Sequence, residues 1–104
     1  MALTINTYNP KTQQMVQAYV EMIMYTEERY YSQYQRSVDM AFFVDKASSI
    51  GANADWFKTV QVVNLPFDPA VARTDEQLYQ QVLDGEGYSF GFDWSTAEFY
   101  VEPV

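Results

Sequence analysis

The sequence predicts an α+β fold: a long N-terminal helix and one short helix packed on a mainly antiparallel β-sheet that ends in a C-terminal hairpin. Three observations predict it. Apolar positions between 15 and 34 recur at three- and four-residue intervals, β-branched and alternating segments follow between 37 and 65, and residues 74–77 read as a helix capping box. At 104 residues and 48% apolar content the chain is read as one domain, residues 1–104, with ample material for a core.

The first helix is placed from Asn9-Pro10, where Asn caps free amides and Pro suits the first helical position. Positions 15, 19, 22, 23, 26, 30 and 34 carry it to about Arg36. At ~1.5 Å per residue it would be roughly 40 Å long. A second set, Val16, Val20, Met24 and Tyr31, makes it apolar on two faces. Such a helix is central to the fold or meets another chain. Met15, Met22 and Met24 read as adaptable core packers.

In Ser37–Asp45 the alternation of Val38, Met40, Phe42 and Val44 predicts a strand in preference to more helix. Residues 45–58, DKASSIGANADWFK, read as a loop with room for a helical turn, its Trp56-Phe57 pair plugging the core beneath. The β-branched run KTVQVVNL predicts a second strand, and Pro66 and Pro69 punctuate a turn. Thr74-Asp75-Glu76-Gln77 starts the short helix, which buries a narrow stripe of Leu78 and Val82, with Tyr79 a further candidate, and stops at Gly85.

Residues 88–102, YSFGFDWSTAEFYVE, combine rings and carboxylates with no positive charge. A hairpin about Asp93-Trp94-Ser95-Thr96 sets Phe92 opposite Ala97 and Phe90 opposite Phe99. Tyr88, Phe90, Phe92, Ala97, Phe99 and Val101 then share an apolar face. Ser89, Gly91, Asp93, Glu98, Tyr100 and Glu102 share the other.

Charge narrows the function. Fourteen acids against six bases leave −8. Residues 1–52 hold five acids and four bases (−1); residues 53–104 hold nine and two (−7), with no base after Arg73. Direct nucleic-acid binding is disfavoured, because phosphates need cations, whereas a basic protein is the natural complement. The absence of Cys and His excludes disulfides and zinc–thiolate sites and removes the commonest general base. Asp84-Gly85-Glu86-Gly87 lacks the regular spacing of a calcium loop, and Ser49-Ile50-Gly51 lacks the second Gly and the Lys of a phosphate loop. No catalytic residue, metal site or cofactor is therefore expected. MALTINTYNPK lacks the basic-then-apolar layout of a signal peptide, and the apolar stretch 15–25 is broken by Gln17 and Glu21, so a cytoplasmic protein is expected.

The leading expectation is a small, acidic, non-catalytic binding protein. It would act as a stoichiometric inhibitor docking on a basic, nucleic-acid-handling partner, with Asp75, Glu76, Asp84, Glu86, Asp93, Glu98, Tyr100 and Glu102 as contacts. By analogy, a phage or mobile element encodes chains of this kind against a host enzyme. The second expectation is a structural subunit that self-assembles through the two-faced helix, with Tyr19, Tyr30, Tyr31 and Tyr34 at the interface.

Overall fold

The protein is described by a computed structural model covering residues 1–51 and 54–103, with the backbone alone at Tyr30. Five strands, β1 (Leu3–Asn9), β2 (Gln14–Tyr30), β3 (Gln33–Phe43), β4 (Lys58–Pro66) and β5 (Glu98–Phe99), form one antiparallel sheet in the order β4-β3-β2-β1-β5. Among the described residues one helix, α1 (Asp75–Leu83), lies between β4 and β5, and one 3₁₀ turn (Ala47–Ser49) follows β3.

The long N-terminal helix does not exist. Residues 10–36 form the first hairpin turn, all of β2 and the start of β3. Asn9-Pro10 opens that turn: the Asn9 carboxamide accepts from the Lys11 N–H at 2.9 Å, and Gln13, at φ 57°, returns its N–H to the Asn9 carbonyl. The helical reading failed for a physical reason. Residues 15, 19 and 23 stand four apart, which is also two strand periods. A bulge between Met22 and Met24 then inserts one residue and supplies the spacing of three. Before the bulge, Val16, Ala18, Val20 and Met22 face one side of the sheet while Met15, Gln17, Tyr19 and Glu21 face the other, and both sides are partly apolar. Met15 and Met24 are exposed rather than core.

The main core lies on one face. Leu3 and Ile5 of β1, Ala18 and Val20 of β2, Val38, Met40 and Phe42 of β3, and Val62 and Leu65 of β4 are all buried there. Leu78, Tyr79 and Val82 of α1 close over them, and the Tyr79 hydroxyl accepts the Met22 N–H at 2.8 Å, satisfying a bulge amide. The capping box forms as expected, with the Gln77 N–H donating to Thr74 Oγ1 and the Gln77 side chain accepting from the Thr74 N–H. Gly85, at φ 73°, ends the helix. Phe42 is the hub of an aromatic group, its ring centroid 5.3 Å from Phe92, 5.7 Å from Trp94 and 6.3 Å from Phe57. Phe57 thus plugs the core, while its neighbour Trp56 stays largely exposed beside Phe43.

The opposite sheet face is mostly open. At one end Ala2, Tyr19, Ala41 and Phe43 make a second cluster, which Tyr100 covers edge-on at 4.8 Å from Tyr19.

The C-terminal hairpin is also overturned. Tyr88 exchanges both backbone hydrogen bonds with Val63, at 2.8 and 2.9 Å, on the outer side of β4. Leu3 and Thr4 of β1 take Phe99 and Glu98 at the far side of the sheet. Residues 88–99 therefore cross the core face from one sheet edge to the other and cannot fold back on themselves. Gly91, at φ 69°, breaks the alternation, and the tight turn runs from Trp94 to Ala97. Phe92, Ala97 and Phe99 pack on the core as expected, but Tyr88, Phe90 and Val101 are exposed, Phe90 at 90%.

Candidate functional site

The eight residues expected to bind a partner do not share one surface. Asp75 and Glu76 sit in the first turn of α1, where they also offset its dipole, and Asp75 is paired with Arg73. That contact raises the Arg73 pKa further. Asp84 caps the other end of α1 and accepts from the Gln80 amide at 2.9 Å, with exposed Glu86 two residues on. Asp93 lies in the crossing segment. Its carboxylate accepts the Ser95 N–H at 2.9 Å, which holds its pKa below the ordinary value. Pairing with β1 turns Glu98 to the open face, the side on which Tyr100 meets Tyr19. Glu102, further along, pairs with Lys46. The set is split by the sheet itself.

What the fold does bring together is the layer over the core. Asp84 and Asp93 stand at the mouth of a cleft of about 530 Å³ between the C-terminal end of α1 and the crossing segment. Val62, Val82, Phe92 and Trp94 line its interior, and the Trp94 indole donates to Ser89 Oγ at 2.9 Å. Four of the six bases are already matched: Lys11 with Asp55, Arg36 with Glu27, Lys46 with Glu102 and Arg73 with Asp75. Among the described residues, Glu76, Asp84, Glu86, Asp93 and Glu98 have no such match. Lys58 lies over the rings of Phe42 and Phe92 and donates to Thr7 Oγ1 at 3.2 Å, and burial lowers its pKa.

The tyrosines of the second expectation are scattered. Tyr19 is buried under Tyr100, where burial, then the neighbouring Glu21, drives its pKa far upward. Tyr34 packs edge-on to Phe67 at 5.7 Å, and Tyr31, at φ 56° in the β2–β3 turn, is 81% exposed. The Tyr30 side chain lies outside the described residues. The helix face expected to carry these rings is absent, and Tyr19 stands within β2 while Tyr31 lies in the turn beyond its end.

Sequence reasoning missed Phe90 and Tyr88 as displayed rings. The available signal was glycine: Gly87 and Gly91 bracket them and interrupt any regular hairpin. Among the described residues no group of three or more His, Cys, Asp or Glu is placed to hold a metal ion, and no helix is long and apolar enough to cross a membrane. Compared with protein-family models, with curated proteins and with solved structures, the chain matches none.

Proposed function

We propose that this chain is a non-catalytic binding protein of a cytoplasmic setting that docks the acidic layer over its core on a basic partner, most naturally one that handles nucleic acid, and blocks it stoichiometrically. The observation that carries this reading is the segregation of charge. Asp84 and Asp93 line one cleft between the C-terminal end of α1 and the crossing segment, exposed Glu86 follows Asp84 two residues on, no base follows Arg73, and that base is already held by Asp75. An acid-rich surface with an exposed ring beside it has the composition of a docking surface, where charge steers encounter and an aromatic anchors it. Glu98, Tyr100 and Glu102 face away and are left out of the contact.

The test is affinity capture on the immobilised chain from lysate of the source or its host, washed at low and then high salt, with mass spectrometry of each wash. A basic nucleic-acid-handling protein held at low salt and shed at high salt supports the reading, because screening weakens such contacts. Recovery of the chain alone, or of partners indifferent to the variant Asp84→Asn/Glu86→Gln/Asp93→Asn, overturns it.

A further inference from the structure

β4 is an edge strand, and among the described residues its outer side is bridged by backbone at Val63, with the Pro66 carbonyl at its end accepting from the Gln81 side chain. Val63 gives its N–H and carbonyl to Tyr88, and the two-residue period of the strand turns the same groups of Thr59 and Gln61 outward as well. After Tyr88 the chain leaves the edge, because Gly91 turns it toward the core and Phe92 packs edge-on against Phe42. Beside the edge left open is a groove of about 260 Å³ formed by Thr59, Val60, Gln61, Val63, Tyr88 and Phe90.

Phe90 is displayed. The Val63–Tyr88 bridge and the Trp94–Ser89 hydrogen bond anchor the two residues before it, and Phe90 is 90% exposed. Native proteins usually blunt an open edge with charge, proline or a covering loop. Here the groove-lining residues are Thr, Gln, Val, Tyr and Phe, without a charge among them.

We propose that this edge accepts an extended, basic segment of the partner as an added strand, the recognition mode in which main-chain bonds supply affinity and alternate side chains supply specificity. The proposal deepens the acidic docking reading and rests on it. An incoming strand alternates its side chains between two sides. On one side it would meet the groove against Phe90 and Tyr88, which suits an apolar residue. Across Tyr88 lies the cleft with Asp84 and Asp93 at its mouth, which suits Lys or Arg. A second copy of the chain is the poorer occupant, since each copy brings a net charge of −8.

The test uses the full chain and a synthetic probe, acetyl-Lys-Val-Lys-Val-Lys-amide, followed by NMR titration and amide hydrogen exchange. Three comparisons accompany it: the same peptide with Glu in place of Lys, the same peptide with its central Lys replaced by Pro, and the protein variant Phe90→Ala. The expected result is slowed exchange at Thr59 and Gln61, no binding of the acidic peptide, loss of protection with the Pro peptide, and an increase in Kd of about fivefold or more for Phe90→Ala. Equal protection by the Pro peptide overturns the proposal, as does an unchanged Kd for Phe90→Ala. Binding of the basic peptide with shifts at Asp84, Glu86 and Asp93 but none at Thr59 and Gln61 overturns the added strand while leaving the docking function standing. Sedimentation showing a dimer whose formation protects Thr59 and Gln61 makes a second copy the occupant and also overturns it.

Discussion

Gly87 joins the crossing segment to β4, and replacing it with alanine tests that joint. A Cβ built there would lie 2.6 Å from Val62 Cγ1, 2.7 Å from Leu65 Cδ2 and 3.0 Å from the Val63 carbonyl oxygen. Val62 and Leu65 are 2% and 0% exposed, so neither side chain can swing out to make room. The Val63 carbonyl is the acceptor for Tyr88, so moving it breaks the bridge that holds the segment. Overpacking of this kind costs about 1–3 kcal/mol. For a domain this size each kcal/mol lowers Tm by about 4–8 °C, so a fall of roughly 5–20 °C is expected in a thermal melt followed by circular dichroism. The sign is informative. Gly87 does not occupy the left-handed region, and at a position with free space alanine would stabilise by about 0.4–1 kcal/mol through the unfolded chain. A Tm for Gly87→Ala equal to or above that of the parent would refute the close approach, and with it the placement of Tyr88 and Phe90.

Thr74→Ala removes one half of the capping box and should cost about 1 kcal/mol in urea unfolding, with Thr74→Ser restoring most of it. Tyr79→Phe keeps the ring but leaves the Met22 N–H without its acceptor, so a loss of about 1–2 kcal/mol is expected, together with faster exchange of that amide. Burial raises the pKa of Tyr19 and Tyr79 above the ordinary 10, so their contribution to stability is complete below pH 10 and fades as pH rises past it. The urea midpoint should therefore hold steady from pH 8 to 9 and drop above 10, and Tyr19→Phe should soften that drop. Phe42→Ala empties the hub of the aromatic group and should cost about 3–5 kcal/mol, read by the same urea titration.

Legibility in the sequence followed how local each signal was. The cap at Thr74, the stop at Gly85 and the β-branched run of β4 depend on neighbouring residues, and the structure carries all three where the pattern placed them. The strand expected over Ser37–Asp45 is observed from Ser37 to Phe43, as part of β3; Val44 and Asp45 fall beyond its end, and Val44 is exposed. β2 was misread because a bulge and two apolar faces imitate a helical period; its Val, Ile, Thr and Tyr content was the competing clue. The crossing segment was misread because its partners are far away in sequence: Tyr88 pairs with Val63 and Phe99 with Leu3. No local pattern records that choice. The same distance explains the site. Eight acidic and tyrosine positions looked like one surface along the chain, yet β1 carries Glu98 to the face opposite Asp84 and Asp93. Phe90 looked like core because alternation alone would bury it.

On the proposed reading, Asp84, Glu86, Asp93 and Phe90 form one docking surface for a basic partner. The most direct measurement is calorimetric titration of the purified captured partner, at two salt concentrations, against the parent chain, Phe90→Ala and Asp84→Asn/Glu86→Gln/Asp93→Asn. Affinity is expected to fall with salt for the parent, the triple variant to bind weakly with little salt dependence, and Phe90→Ala to lose affinity while keeping the salt dependence. Full affinity in both variants, or a contact disrupted by Glu98→Gln/Glu102→Gln instead, would place the interface on the opposite face and contradict it.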